Sequence, residues 1–561
     1  MQEEIIDFFR NPALVFYMTL MLTVCVVNGS QQAGEVVETE FHAYRIHQYE
    51  ISGNMYGSKN YRVSYEAVSL GARAIRRTTV TTWREVLKSN VDDLWELSTG
   101  AVLIFIPDNI DELNDVDRKA FIDLEQKLAK VKTDLAVYVA PYDDNASSVI
   151  SDIQNRADNF PSAFQALLQS VSGNTISITS SDSIPELPAN YKPYNIVGRL
   201  SSGERATPTI AFVAHYDTTS VIPGVSPGAD SNGSGVVALL ELLAVLSKFY
   251  DTPSTRPPYN LLFIWTAAGK LNFQGTRHWI EEFQKGVDAG HVVDSSSNER
   301  KVFLDDRIDL AICIESIGRN TGGLYMRAGK APSENSAAAQ LFRRLRNIAP
   351  KKNIELVSKK ISLTSTSSWE HEKFNIKRMP AITLSTLPSP TDPARNSVLD
   401  LPSLLDEDEL ISNIRLIAEG VLGYILELPE TGPSTDSRVT SEVSMLSKDA
   451  VDKQRVHHFI RQFASRPRPV GDRKATESIA ANLASVASGY GQVFKSAVGF
   501  VDSKPFGVTQ NRLVAERVKP AVFELVIAAG VFAYLSVFYF IATHSQKSIE
   551  GTVSVIRKSI F

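Results

Sequence analysis

The sequence predicts a mixed α/β protein, with a mainly parallel sheet flanked by helices, a smaller N-terminal α/β lobe and one C-terminal transmembrane helix. Three observations predict this class. Apolar strand-like runs alternate with helical patterns over residues 175–430, and two similar runs flank a charged helical stretch nearer the N terminus. A 22-residue apolar run lies near the C terminus. Strands that alternate with helices form parallel sheets whose two faces are covered by those helices.

Composition excludes two other classes. The 561 residues are 43% hydrophobic and 22% charged, which is typical of packed domains. The 58 basic and 63 acidic residues give a formal charge of −5 with no long basic block, so we expect no direct nucleic-acid binding, which needs clustered cations. Two cysteines, Cys25 and Cys313, are too few for a disulfide-stapled scaffold or a cysteine-rich zinc module.

The N-terminal segment has the pattern of a secretory signal. Residues Ala13 to Val27 form a 15-residue apolar run that small polar residues follow. This is the length of a signal-peptide core and is short for a membrane span. We predict a cleaved signal peptide over residues 1–29, with a retained N-terminal anchor as the alternative.

The C-terminal apolar run, Ala521 to Ala542, contains one charged residue, Glu524. As a helix it would be about 33 Å long, enough to cross a bilayer. We predict a transmembrane helix over residues 521–543 and a cytosolic tail over residues 544–561. With a signal peptide this gives a single-pass type I protein whose bulk is lumenal, and the sequon at Asn145 is then a candidate glycosylation site.

The lumenal part divides into two α/β units. Apolar runs at Ala101–Pro107 and Leu135–Pro141 flank a helical stretch at Asp115–Lys132 and predict a small lobe over residues 40–170. A larger domain over residues 175–430 has predicted strands at Ile210–His215, Asn260–Ala267, Asp309–Glu315, Ile354–Ser358 and Ala381–Leu384. Its predicted helices are Gly233–Phe249, Thr276–Lys285 and Ser336–Ile348. We interpret residues 431–519 as a linker and a mostly helical stalk.

Polar residues follow several of these strands, where ligands of α/β sheets gather. His215 and Asp217 are two apart on an extended chain, so Asp217 could orient the His215 ring. Asp230 lies in a glycine-rich segment that opens a helix, Glu315 ends a strand, and His371 precedes Phe374 by three residues. Each residue taken alone has a structural explanation, such as a helix cap, a strand edge or an exposed histidine.

Taken together, this order of residues resembles the zinc-aminopeptidase superfamily, which also contains transferrin receptor and nicastrin. The resemblance covers residues 175–430 and implies zinc ligands at the positions of His215, Asp230, Glu315 and His371. It also implies that Asp230 would bridge two metals and that Asp217 would support His215. Active members carry two adjacent glutamates, one the general base and one a zinc ligand. Gly275 and Thr276 set the register that places Gly269 and Lys270 at those two positions.

The two replacements predict an inactive peptidase. Gly269 has no side chain to take a proton from water, and a positioned base supplies a factor of about 10²–10⁴ in rate. Lys270 would place an ammonium group where a metal ion should sit, and we expect it to pair with Asp230. We expect no cofactor, or at most one residual zinc on His215, Asp230 and Glu315.

Within the superfamily the chain resembles the nicalin family. The segments that carry this resemblance are Tyr44–Tyr49, Gly228–Gly235, Gly269–Thr276, Trp369–Phe374 and Arg517–Ala521. The resemblance implies a non-peptidase protein of the endoplasmic reticulum membrane, in a complex with Nodal modulator and a small multi-pass membrane protein. It further implies a link to the translocon and its ribosome-associated machinery, to the biogenesis of multi-pass clients and to receptor subunit assembly.

Two other functions stay open from the sequence. One is a lumenal single-zinc aminopeptidase that uses another base, Asp217 or Glu372. The other is a nicastrin-like substrate receptor of an intramembrane protease.

Overall fold

The computed structural model describes residues 39–70, 77–89, 94–96, 98, 100–157, 175–180, 187, 190–204, 207–288, 307–362, 366–429, 445–507, 510–519, 523, 525, 527–540 and 554. The predicted signal peptide and Glu524 lie outside these residues, as does the predicted cytosolic tail apart from residue 554.

The strands fall into a barrel lobe, a small sheet and a large sheet. Those in the first part of the chain are β1 (Thr39–Arg45), β2 (Gln48–Ile51), β3 (Asn54–Ser58), β4 (Ser64–Ser69), β5 (Thr78–Thr82), β6 (Ala101–Pro107), β7 (Lys132–Thr133), β8 (Ala136–Tyr142) and β9 (Thr175–Ser180). Those in the remainder are β10 (Tyr194–Leu200), β11 (Pro208–His215), β12 (Asn260–Thr266), β13 (Arg307–Ile314), β14 (Gly323–Ala328), β15 (Asn353–Ser358), β16 (Ala381–Ser385), β17 (Gln492–Ala497), β18 (Ser503–Pro505) and β19 (Gln510–Val518).

The helices are numbered in the same way. They are α1 (Trp83–Lys88), α2 (Asp115–Leu128), α3 (Asp144–Ala157), α4 (Gly235–Tyr250), α5 (Gln274–Asp288), α6 (Ala337–Ile348), α7 (His371–Ile376), α8 (Glu407–Ile425), α9 (Lys453–Phe463), α10 (Arg473–Ser488) and α11 (Ile527–Phe540).

The large sheet has the order β15-β14-β16-β13-β11-β12-β10-β17 in the described residues. Its central strands β16, β13, β11 and β12 are parallel, which confirms the predicted fold class. The sequence did not predict β10, β14 or β17, which take part in the antiparallel pairings of this sheet. Those three strands give the sheet a mixed character at both sides of its parallel centre.

One face of the large sheet packs on α4, which is apolar around nearly its whole circumference. Its side chains form one core cluster with residues of α8, α9 and α10. Together with the preceding turn, α4 is the one helix of the described residues that is long and apolar enough to cross a membrane. It is buried inside the domain, so this helix is the centre of a globular core.

The opposite face of the sheet is covered by α5 and α7. Trp279 stacks on Phe283 within α5, with ring centroids 5.1 Å apart, and approaches Phe374 of α7 at 6.0 Å. These rings pack on Val213 and on other residues of the central strands. Helices therefore cover both faces of the sheet, so its strand ends are the places where polar groups can gather.

The smaller lobe is a closed barrel of order β1-β19-β9-β4-β5-β6-β8. Strands β4, β5, β6 and β8 run parallel, and β1, β19 and β9 close the barrel with antiparallel pairings. The lobe predicted over residues 40–170 therefore also takes up β9 and the distant β19. The local pattern did not indicate closure because β19 lies more than 300 residues after β9 along the chain.

The segment predicted as a linker and mostly helical stalk, residues 431–519, contains two helices, α9 and α10, but its described part packs on the globular domains and is not a stalk. Helix α9 buries Val456, Phe459, Ile460 and Phe463 in the core of the large domain. Strand β17 pairs with β10, and β19 closes the barrel. The spacing of those four apolar residues marks a helix face that needs a partner, and that partner is the large domain.

The described part of the predicted membrane span is helix α11, which is 14 residues long. Its large apolar side chains are strongly exposed, at 75% for Phe532, 71% for Tyr539 and 63% for Phe538. A contiguous exposed apolar surface of this kind marks a membrane or protein contact. This helix is compatible with the predicted span, whose residues 521, 522, 524, 526 and 541–543 lie outside the described part.

A buried carboxyl group joins the two lobes. Glu125 of α2 accepts hydrogen bonds from the Ser397 hydroxyl and, at 2.8 Å, from the Val398 amide. Burial raises the pKa of Glu125 to about 7 from its ordinary value of 4.5. Between these two pH values the folded protein holds a proton that the unfolded chain has lost.

The free energy of unfolding should therefore fall as the pH rises from about 4.5 to 7. Glu125→Gln removes this ionisation. The variant should therefore be free of the pH-dependent loss of unfolding free energy, which is about 3 kcal/mol at most. We expect the variant to gain thermal stability relative to the parent between pH 5 and pH 8. Unfolding midpoints of both full-length proteins at the two pH values measure this, and an equal difference at both would contradict it.

Candidate functional site

The residues singled out by the sequence lie around the carboxyl ends of the central strands. His215 ends β11, Glu315 follows β13 directly, and Asp230 lies in a π-helical turn before α4. His371 is the first residue of α7, and Asp217 follows β11. All five side chains are at most 2% exposed. Their charges and hydrogen bonds are therefore balanced by other protein groups and not by bulk water.

The loop that carries Gly269 and Lys270 is tied to Asp217. The Gly269 amide donates to Asp217 Oδ1 at 2.7 Å and the Lys270 amide donates to Oδ2 at 2.9 Å. Both carboxylate oxygens are thus used by the backbone. Asp217 was predicted to orient the His215 ring, but the structure gives that contact to Glu370, whose Oε2 lies 3.2 Å from His215 Nδ1.

Glu370 is itself held by the strand and helix behind it. The hydroxyl of Thr266 donates to Glu370 Oε1 at 2.8 Å, and the hydroxyl of Thr276 donates to the same oxygen. This network fixes the His215 ring from the side opposite to its Nε2 atom. Burying such a carboxylate is tolerable because three hydrogen bonds satisfy it.

Glu315 is the anion of a compact ion-pair cluster. Arg395 donates to both of its oxygens, with Nε 2.6 Å from Oε1 and Nη2 2.9 Å from Oε2, and Lys270 Nζ lies 3.7 Å from Oε1. Burial alone would raise the pKa of Glu315, but the two cations outweigh it and bring the pKa to about 2. Lys270 was predicted to pair with Asp230. It pairs with Glu315 instead, because the loop points its side chain toward the end of β13.

Arg395 is held firmly in this position. Its Nη1 donates to the carbonyl of Ser368 at 2.8 Å and to that of Pro390 at 3.1 Å. Its guanidinium also lies 4.5 Å from the centre of the Trp369 ring. A forked, bidentate arginine on a carboxylate is among the strongest ion pairs in proteins.

Asp230 forms an ion pair with a different arginine, Arg319. The Gly318 amide donates to Asp230 Oδ1 at 2.7 Å, and Arg319 Nε lies 3.6 Å from Oδ2. Arg319 also donates to Asp400 at 2.8 Å, and Asp400 accepts the backbone amides of Asp230 and Ser231. Burial and the nearby Asp400 carboxylate raise the pKa of Asp230 to about 7.

His371 stands apart from these two clusters. Its Nδ1 lies 2.7 Å from the Thr383 hydroxyl. Burial, with a smaller contribution from Arg327, lowers the pKa of His371 to about 3, so the ring is neutral at physiological pH. The structure thus places His371 in the same region without joining it to Asp230 or Glu315.

This donor set does not fit a zinc centre. Among the described residues, no group of three or more His, Cys, Asp or Glu side chains is arranged to hold a metal ion. Glu315 and Asp230 already bind guanidinium groups, and a dication beside Lys270 would meet like charge. His215 Nε2 has no hydrogen-bond partner in the described chain, but one nitrogen is too few for zinc, which takes at least three protein ligands.

Gly269 is required here by close packing. A Cβ atom at this position would lie 2.3 Å from His215 Cβ and 2.4 Å from His215 Cγ, closer than real side chains approach. A glutamate at position 269 therefore cannot be accommodated while His215 keeps its place. The packing of position 269 on His215 thus leaves no room for a side chain at the place where the sequence analysis expected the general base of an active peptidase.

We expect Gly269→Ala to lower the free energy of unfolding by about 1–3 kcal/mol, since His215 must shift to relieve the overlap. Gly499→Ala is the matched control, because a Cβ there meets nothing within 4 Å. Denaturant unfolding of the full-length variants measures both. Equal stabilities for the two variants would contradict the close packing of Gly269 on His215.

The sequence analysis missed four residues of this site: Glu370, Arg395, Arg319 and Asp400. Glu370 directly precedes His371, so its place in the motif was a usable signal. The other three lie in loops, and no spacing pattern points to them. The candidate glycosylation site, Asn145, is exposed in the first turn of α3, whereas Asn232, which also begins an Asn-x-Ser sequence, is buried.

Comparison with known proteins places the fold in a class. The family described as Peptidase family M28 matches residues 195–394, which include most of the site. The crystal structure of the gamma-secretase component nicastrin aligns with a TM-score of 0.54 at 11% identity, over 85% of this chain and 99% of that chain. The chain therefore has the α/β fold of this peptidase class, which nicastrin shares.

Full-length relatives define the family within that class. Nicalin of Caenorhabditis elegans is 79% identical over 100% of both chains. The human BOS complex subunit NCLN is 31% identical over 90% of this chain and 89% of its own, and the zebrafish (Danio rerio) protein is 31% identical over 89% of both. The chain belongs to the nicalin family.

Proposed function

We propose that this chain is a catalytically inactive subunit of an endoplasmic reticulum membrane complex that assists the assembly of multi-pass membrane proteins and receptor subunits. The single observation that carries the inactive part is the pairing of Glu315 with Arg395 and Lys270. These cations occupy the carboxylate that a peptidase would offer to a metal ion. Relatives in vertebrates are named as subunits of the BOS complex, which supports the assembly part.

Hydrolysis would need a base and an activated water, and the site supplies neither. Both oxygens of the buried Asp217 carboxylate accept backbone hydrogen bonds, from the Gly269 and Lys270 amides, so this group holds the loop in place. Glu372 accepts the Ser368 amide at 3.0 Å and serves the first turn of α7. Each of the two candidate bases of the single-zinc alternative, Asp217 or Glu372, is therefore already hydrogen-bonded to backbone amides.

A fixed ion-pair cluster suits a scaffold. The Glu315 and Asp230 clusters tie the loops after β13 and before α4 to loops that follow β16, without needing a metal ion to hold them. The surface built on these loops then keeps one shape, which a binding partner can recognise. The exposed apolar helix α11 supports attachment of this scaffold to a membrane or to a membrane-embedded partner.

Affinity purification of the tagged full-length chain from membranes in mild detergent tests the proposal. We expect other BOS complex subunits, including a Nodal modulator relative and a small multi-pass protein, to co-purify. His215→Ala should keep these partners, because the complex does not depend on chemistry at this site. A chain that purifies without membrane partners, or a His215→Ala variant that folds but loses them, would contradict the proposal.

Assays on aminoacyl reporter substrates test the inactive site separately. We expect the purified chain with added zinc to release no more product than its His215→Ala variant. Turnover that His215→Ala abolishes would favour the single-zinc aminopeptidase.

A further inference from the structure

A cavity of about 190 Å³ lies between the barrel lobe and the carboxyl ends of the large sheet. Five segments that are distant in sequence contribute most of its wall: residues 45–49, 218–223, 270–271, 469–471 and 505–506. Neither lobe forms this cavity alone. It is beside the Glu315 cluster, and Lys270 belongs to both.

The charge of this cavity wall is one-sided. Arg45 and Lys270 line it, whereas none of its described lining residues is an aspartate or glutamate. His47 also lines it, but burial lowers the pKa of His47 to about 4, so this ring is a neutral hydrogen-bonding group near pH 7. The chain as a whole has more acidic than basic residues, 63 against 58, so this bias is local. Arg45 is 2% exposed and His47 is 4% exposed, so bulk water does not solvate these two side chains.

The polar atoms of these three side chains are incompletely paired. Arg45 Nε and Nη1, His47 Nε2 and Lys270 Nζ have no hydrogen-bond partner in the described part of the chain. The carboxylate nearest to Lys270 is Glu315, at 3.7 Å, and that carboxylate already accepts two hydrogen bonds from Arg395. Burial lowers the pKa of both Arg45 and Lys270. Burying a hydrogen-bond donor or a cation without a partner costs free energy. Such groups are therefore expected where a bound ligand supplies the missing partner.

We propose that this cavity binds one small oxyanion, a carboxylate or a phosphate group, between Arg45 and Lys270, with His47 as a further hydrogen-bond partner. The cavity is smaller than the roughly 300–1,000 Å³ of pockets that enclose drug-sized ligands. It therefore suits a free inorganic ion or the anionic end of a longer molecule. A phosphate ion and the terminal carboxylate of a peptide both carry this chemistry.

The position of the site gives the anion a structural role. Arg45 ends β1 of the barrel, and Lys270 follows β12 of the large sheet. An anion held by both side chains links the two lobes across a cavity wall that contains no acidic side chain. Binding should therefore raise the stability of the whole chain by mass action. This inference is independent of the proposed function.

Calorimetric titration and thermal unfolding of the full-length chain in detergent test the site. The probes are sodium phosphate against sodium chloride at equal ionic strength, and acetyl-alanyl-glycine against its C-terminal amide. We expect saturable binding and a raised unfolding midpoint with phosphate, with the free peptide acid, or with both. Phosphate alone would identify the free ion as the source, and the peptide acid alone would identify a terminal carboxylate.

Substitutions locate the binding. Arg45→Gln and Lys270→Gln should each weaken Kd at least tenfold, whereas Arg62→Gln, an exposed arginine of the same lobe, should leave Kd unchanged. Using two independent variants keeps the test decisive if one of them folds poorly. The proposal is overturned if neither anion binds saturably, or if a folded Arg45→Gln or Lys270→Gln protein binds as the parent does.

Discussion

Replacing Arg395 with alanine is expected to lower the free energy of unfolding of the full-length protein by about 3–5 kcal/mol. The reason is that Glu315, 2% exposed, would lose both of its close hydrogen bonds and keep only Lys270 at 3.7 Å. The Trp369 ring would also lose the guanidinium that lies 4.5 Å from its centre. Denaturant unfolding of the detergent-solubilised protein measures this loss.

Two further variants make the result specific. Arg395→Ala combined with Glu315→Gln should recover part of the loss, because the second change removes the unpaired buried charge. Arg473→Ala removes an exposed arginine that pairs with Glu477 and should change stability little. Equal effects of Arg395→Ala and Arg473→Ala would contradict the ion-pair cluster.

Arg455→Ala is expected to cause a loss of similar size, about 3–5 kcal/mol. Arg455 of α9 donates to both oxygens of Glu241 at 2.6 Å, and Glu241 is completely buried in α4. The variant would leave Glu241 with the Asp452 amide as its other close donor. The same unfolding measurement applies, and it tests whether α9 belongs to the large domain.

Lys453→Ala is the matched control on the same helix. Lys453 pairs with Asp408 at 2.7 Å, and both side chains are mostly exposed, so its loss should change stability little. If Arg455→Ala were no more damaging than Lys453→Ala, α9 would not be docked on α4 as the structure shows.

The parallel centre of the large sheet was predictable because its strands are buried on both faces. Such strands are continuous apolar runs, and β11, β12, β13 and β16 all have this pattern. The edge strand β17 was not predictable in the same way, because none of its side chains is buried and its apolar pattern is weak. The closure of the barrel by β19 depends on a pairing that no local pattern encodes.

The site was predictable in part, since the sequence identified five of its acidic and histidine residues but not Glu370 or Asp400. A strand that ends at His215 or just before Glu315 places that residue at the sheet edge, whatever its partner is. Which cation meets which carboxylate depends on the loops that carry Lys270 and Arg395. Loop geometry has no periodicity in sequence, so the pairing of Lys270 with Glu315 rather than Asp230 was beyond sequence reasoning.

The zinc content of the purified full-length chain measures whether the ion pairs around Glu315 and Asp230 exclude a metal ion from this site. The protein should be incubated with zinc, dialysed extensively and measured by elemental analysis. We expect far less than one zinc per chain, because Arg395, Lys270 and Arg319 occupy the carboxylates that would bind it. One or two tightly held zinc ions per chain that His215→Ala removes would contradict the account, since the metal would have displaced the ion pairs that define this site.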